Sequence, residues 1–111
     1  MYDHFSPQNL IEIAKRRDVY VLVRSNRILG TGNLRENNVW SVYVDPDFHG
    51  MGMRKVLMEH LENLAKRNGY KTIELFSSVT AFEFYKNLGY RKISTYQDKD
   101  TGKSIKMRKM L

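Results

Sequence analysis

Apolar and polar positions along the chain change period several times, and those changes divide it into elements. Leu10, Ile11 and Ala14 mark one face at helical spacing behind Ser6-Pro7, an N-cap followed by proline at the first helical position, so a short helix is expected over residues 7–17. Residues 19–24 are β-rich, Ser25-Asn26-Arg27 carries turn chemistry, and residues 28–34 continue as a second strand broken by Gly30 and Gly32. After the turn Glu36-Asn37-Asn38, residues 39–44 form a third strand, terminated by Asp45-Pro46. From Gly50 the period becomes helical. Met53, Val56, Leu57, His60, Leu61, Leu64 and Ala65 share one face, and Gly69 fits a C-terminal cap. Residues 71–76 read as a short buried strand and residues 80–88 as a further helix stopped by Gly89. Residues 90–97 and 103–111 make a closing hairpin around the polar turn at 98–102. The order is that of an α/β or α+β domain with a mixed sheet flanked by helices.

Composition narrows the field. With 111 residues, one domain with one core is expected. A hydrophobic share of 41% and a charged share of 28% suit a globular chain and argue against disorder. No apolar run approaches the roughly 20 residues of a membrane span, so no membrane partner is expected and a cytoplasmic setting is the default. Cysteine is absent, which excludes disulfides, thiolate metal sites and a cysteine nucleophile. The net charge of +7 admits an anionic ligand or polyanion. Its cations are scattered rather than gathered into a tract, and no nucleic-acid recognition motif accompanies them.

Candidate chemistry centres on His49-Gly50-Met51-Gly52-Met53-Arg54-Lys55. A strand ends in Asp-Pro, a loop with two glycines follows, and a long helix begins at once. Glycines at a helix start leave backbone N–H groups uncovered, and with the helix dipole these make an anion site suited to pyrophosphate. An ordinary glycine-rich turn is the alternative reading of a bare G-x-G. Dinucleotide binding is disfavoured, because the third glycine of G-x-G-x-x-G would fall at Lys55.

The run from Val42, Tyr43 and Val44 through that loop resembles the acetyl-CoA segment of the GNAT superfamily of N-acetyltransferases, whose pattern is Q/R-x-x-G-x-G/A after a hydrophobic strand. Downstream, Ala81-Phe82-Glu83-Phe84-Tyr85-Lys86-Asn87-Leu88-Gly89-Tyr90 resembles the family's A-x-x-F-Y-x-x-x-G-F segment, with Tyr90 in place of Phe. His49 stands where the family prefers Gln or Arg, Arg54 where it prefers Gly or Ala, and Ser78 where it has Asn. The resemblance covers residues 5–111 and implies a mostly antiparallel GNAT-like sheet, here lacking the usual first strand and helix.

The resemblance further implies direct acetyl transfer from acetyl-CoA to a primary amine on a small molecule or a protein. The cofactor would be held by Val42, Tyr43, Val44, His49, Gly50, Met51, Gly52, Met53, Arg54, Lys55, Ser78 and Tyr85. Tyr85 corresponds to the general acid; its reference pKa of about 10 lies near a thiol's ~8.5, so it can share a proton with a leaving thiolate. The base is weakly marked: Glu74 is a candidate, and a surface carboxylate or a water relay are the alternatives. His60 reads as core, Trp40 and Tyr43 as packing, with Trp40 able to border an acceptor pocket. His4 and His49 show no metal-ligand spacing, so no metal is expected. The competing reading is a GNAT-like module that binds acetyl-CoA, or nothing, without catalysis. Finally, without a preceding strand, residues 19–24 should lie at an uncovered, sticky sheet edge. The expected consequence is a symmetric homodimer, or coverage of the edge by the helix over 7–17.

Overall fold

A computed structural model describes residues 12–16, 19–100 and 102–111. Its elements in chain order are β1 (Glu12–Arg16), β2 (Val19–Arg24), β3 (Arg27–Arg35), β4 (Asn38–Val44), α1 (Met53–Arg67), β5 (Thr72–Ser78), α2 (Phe82–Asn87), β6 (Arg91–Asp98) and β7 (Gly102–Met110). A 3₁₀ turn, Pro46–Phe48, joins β4 to the glycine loop. The strands form one seven-stranded sheet in the order β1-β2-β3-β4-β5-β7-β6. Among these pairings only β4–β5 is parallel. The mixed, mostly antiparallel sheet with helices is the fold class expected from the pattern.

Local chemistry explains the front of the sheet. Ser25 and Asn26 take φ of 51° and 65° between the paired ends Arg24 and Arg27, the left-handed pair that a two-residue hairpin needs. At Gly32 an added Cβ would lie 3.2 Å from side-chain carbons of Leu57 and Leu61. Glycine there lets α1 settle directly on β3. α1 buries Met53, Leu57, Met58, Leu61 and Ala65, so the apolar stripe read from the sequence shifts. Val56 is exposed and Met58 takes its place, because α1 presses on β3, β4 and β5 at once.

Two apolar clusters result. The larger joins Leu57, Met58, Leu61, Ile73, Leu75, Tyr85, Tyr90 and Met107 between the sheet and both helices. The smaller joins Leu22, Leu29, Val44, Phe48 and Met53 beneath the 3₁₀ turn.

The front of the chain departs from expectation. Residues 12–16 are a strand, not the end of a helix, and pair antiparallel with β2 from Glu12↔Val23 to Arg16↔Val19. Residues 7–11 lie outside the described residues. A strand therefore does precede Val19–Arg24, contrary to the expected lack of one, and the uncovered edge behind the dimer argument does not exist. The reason is tertiary: β2 offers a row of backbone donors and acceptors, and Ile13 reaches both apolar clusters. Helical spacing in a few residues does not outweigh that.

Candidate active site

The parallel pair β4–β5 holds for only a short length. Its register partners are Asn38↔Glu74 and Val39↔Leu75, supported by a 2.8 Å bond from the Glu74 N–H to the Asn37 carbonyl. Beyond Val39 the strands separate. The cause is visible in β4: its register against β3 jumps from Asn33↔Trp40 to Thr31↔Tyr43, and Ser41 adopts φ of 54°. One extra residue bends the strand away from β5, as a β-bulge does. The backbone of Val42, Tyr43 and Val44 is left without a β5 partner.

The gap opens as two connected pockets. The outer one, about 460 Å³, lies between the glycine loop and the start of α2. The inner one, about 260 Å³, lies between β4, β5 and Tyr85. Arg54, Ser78 and Ala81 line both, so the two form one channel.

At the outer mouth the loop is held from several sides. Asp45 accepts from the Asp47 N–H at 2.9 Å, and Arg27 donates to Asp45 at 3.2 Å and Asp47 at 2.8 Å. The Asp47 backbone bond, then Arg27, holds the half-buried Asp45 carboxyl below its ordinary range, against the opposing effect of burial. Phe48 is buried, with the Arg27 guanidinium 4.8 Å and the Arg24 guanidinium 5.4 Å from its ring centre. His49 Nε2 donates to the Val44 carbonyl at 2.8 Å, tying the loop to the end of β4. Gly50 and Gly52 take φ of 79° and 80°, and nothing lies within 4 Å of where their Cβ atoms would be. The first-turn N–H groups of α1, at Met53, Arg54 and Lys55, have no intrahelical acceptor. They sit beside two cations, an arrangement fit for a phosphate group.

At the inner end stands Tyr85, on α2 and only 6% exposed. Burial pushes its phenol up, and the nearby charge of Arg54 offsets only part of that. The group therefore stays protonated at neutral pH and can donate. Phe84 and Tyr90 meet its ring edge-on at centroid distances of 5.1 and 5.8 Å. Ser78 accepts from the Ala81 N–H at 3.1 Å and so starts the turn into α2.

Of the residues singled out in the sequence, Val42, Val44, His49, Gly50, Gly52, Met53, Arg54, Lys55, Ser78 and Tyr85 line the channel. Tyr43 and Met51 do not; their side chains are exposed. Glu74 is tied to Arg108 at 2.7 Å and Lys106 at 3.3 Å. Burial would raise its pKa, but the two cations together hold it below the ordinary range, which makes it a weak base. His60 is half-buried against Tyr20 with ring centroids 5.3 Å apart, and its pKa falls through burial and then the charge of Arg67. Trp40 lies 6.0 Å from Phe76, which lines the inner pocket. The sequence reading missed Ser41, whose bulge opens the channel, and Arg27 and Phe48, which anchor the loop. No local pattern marks a serine as a bulge or pairs Arg27 with carboxylates across a hairpin.

Fold and channel together define a class: α+β domains whose mixed sheet opens a channel between two parallel strands, beside a helix N-terminus. The family model described as acetyltransferase (GNAT) domain matches residues 2–111, and the chain belongs to that family. It is 31% identical over 101 residues to the N-terminal acetyltransferase B complex catalytic subunit naa20 of Schizosaccharomyces pombe, covering 83% of this chain and 54% of that protein. It is 33% identical over 73 residues to an uncharacterised N-acetyltransferase, ycf52, of Porphyra purpurea, covering 61% of this chain and 42% of that one. The chain thus spans about half the length of these relatives. A GNAT family acetyltransferase from Elizabethkingia anophelis with acetyl-CoA bound superposes with a TM-score of 0.73 at 17% identity, over 84% of this chain and 75% of that one. No helix among the described residues is long and apolar enough to cross a membrane.

Proposed function

We propose that this chain is an acetyl-CoA-dependent N-acetyltransferase acting on a primary amine, with residues 1–111 working as one domain. The observation that carries the reading is the separation of β4 from β5. It leaves a strand without its β5 partner along a channel that runs from the start of α1 to the buried phenol of Tyr85. The pyrophosphate of the cofactor is assigned to the N–H groups at the start of α1, with Arg54 and Lys55 beside it. The pantetheine arm is assigned to the side of Val42, Tyr43 and Val44 that has no β5 partner, which would also supply an N–H to the oxyanion.

In this reading the amine nitrogen attacks the thioester carbonyl carbon and the carbon–sulfur bond breaks. The sulfur takes the proton of Tyr85, while the nitrogen loses its own proton to water and water reprotonates the phenolate. Glu74, locked between two cations, is not assigned the base role. The acceptor class extends to protein amines, a direction supported by the name of the S. pombe relative.

The test has two parts. Acetyl-CoA at about 100 times its dissociation constant should stabilise the protein by roughly 2.7 kcal/mol in a thermal shift. CoA-thiol release with a pool of primary amines (a peptide with a free α-amine, free lysine, spermidine and glucosamine) should then fall about 10²–10⁴-fold in kcat for Tyr85→Phe, with KM for acetyl-CoA nearly unchanged. Absence of any thermal shift sinks the cofactor assignment. Equal turnover by Tyr85→Phe returns that residue to a packing role.

A further inference from the structure

Behind Tyr85 lies a buried polar chain that the transfer reaction does not use. Tyr90 follows α2 and is 1% exposed, yet it carries a hydroxyl. That hydroxyl donates to Glu62 Oε2 on α1 at 2.7 Å. The other oxygen of the same carboxylate takes an ion pair from Lys109 on β7 at 3.0 Å. Lys109 also lies over the Tyr90 ring, 5.7 Å from its centre. Glu62 is largely enclosed, with 12% of its side chain exposed, so this carboxylate has exchanged water for two designated donors. Burial and then Glu62 push the Tyr90 phenol well above its ordinary range, so it stays a donor.

The chain ends on the Tyr85 ring. Tyr90 meets it edge-on, and the Tyr90 N–H donates to the Tyr85 carbonyl at 3.0 Å. Tyr85 is therefore braced at its backbone and along one ring edge by a residue whose own position is set from α1 and β7. A Phe at position 90 would pack the same ring but would leave it free to slide along the Tyr85 edge. It would also leave the Glu62 carboxylate one donor short, a costly state in an enclosed site.

We propose that Tyr90, held by Glu62 and Lys109, is a positioning residue that aims the Tyr85 hydroxyl at the departing sulfur. The inference rests on the general-acid reading of Tyr85. Misplacement of a reacting group by a fraction of an ångström lowers rate far more than it lowers binding.

The experiment is a double-mutant cycle between Tyr90→Phe and Tyr85→Phe, read as CoA-thiol release with the same amine pool. Tyr90→Phe should lower kcat about tenfold with KM for acetyl-CoA changed by less than about twofold. In the Tyr85→Phe background the same change should cost nothing further, because the group being aimed is gone. A rate loss that persists in that background overturns the proposal and makes the chain merely structural. So does full turnover by Tyr90→Phe when Tyr85→Phe has lost it. Full turnover by Tyr85→Phe is a separate result, which removes the general acid itself. Glu62 supplies a second handle. Glu62→Gln keeps a carbonyl acceptor for the hydroxyl and should retain more turnover than Glu62→Leu, which should match Tyr90→Phe. Equal rates for the two Glu62 variants count against the proposal.

Discussion

The two ends of the β4–β5 pair differ in how their backbone is partnered. At the paired end, Val39 and Leu75 sit in the larger apolar cluster with Leu57, Leu61 and Ile73, all at most 4% exposed. Backbone groups there are satisfied by the neighbouring strand. At the separated end the same two strands abandon each other after a single bulge, and the backbone faces a channel. The first end is organised by burial, the second by donors held open. Stability and ligand affinity should therefore respond to different residues, even though the two ends belong to the same strands.

That separation can be broken by mutation. The largest effect is expected at the paired end. Leu61→Ala, fully buried and touching the Gly32 face of β3, should cost about 2–5 kcal/mol in urea unfolding. Affinity for acetyl-CoA in the protein that remains folded should be unchanged by calorimetry. A parallel loss of affinity would mean that the two ends are mechanically coupled.

At the separated end, Gly52→Ala introduces a side chain at φ of 80°, where nothing crowds it but the backbone is strained. Such strain costs of order 1–3 kcal/mol, and relief of it would turn the first N–H groups of α1 away from the channel. Here acetyl-CoA affinity should fall by more than stability does. If thermal melting drops while affinity holds, the loop is a structural turn and the anion cradle is misassigned.

The smallest effect concerns charge at the paired end. The pKa of Glu74 is lowered in the folded state, so the pair with Arg108 and Lys106 contributes stability above the unfolded carboxyl pKa of about 4.3. That contribution is lost as pH falls through the lower, folded value. Glu74→Gln should flatten the acid limb of the stability–pH curve and leave the neutral-pH rate of acetyl transfer unaltered. A collapse of that rate would restore Glu74 as a base.

Legibility in the sequence followed the range of the interactions. The hairpin at Ser25-Asn26, the strand Val19–Arg24 and the helix after Gly52 were readable because each is specified by neighbouring residues. The glycine loop and Tyr85 were readable from short motifs, and ten of the twelve residues singled out for the cofactor line the channel. Residues 12–16 were misread as helix, since their strand exists only because β2 has an edge to fill. Val56 and Met58 exchanged roles because α1 contacts three strands and not one flat face.

What the amino-acid order determined alone is the set of elements with local causes: apolar period, glycine at left-handed positions, and a polar stop at each strand end. What only the tertiary structure decided is where those elements stop cooperating. The bulge at Ser41 parts β4 from β5, Arg27 reaches two carboxylates across a hairpin, and Glu62 gathers Tyr90 and Lys109 from 28 and 47 residues along the chain. Each depends on partners far apart in sequence, brought to hydrogen-bond distance by packing, and no local pattern encodes such a meeting.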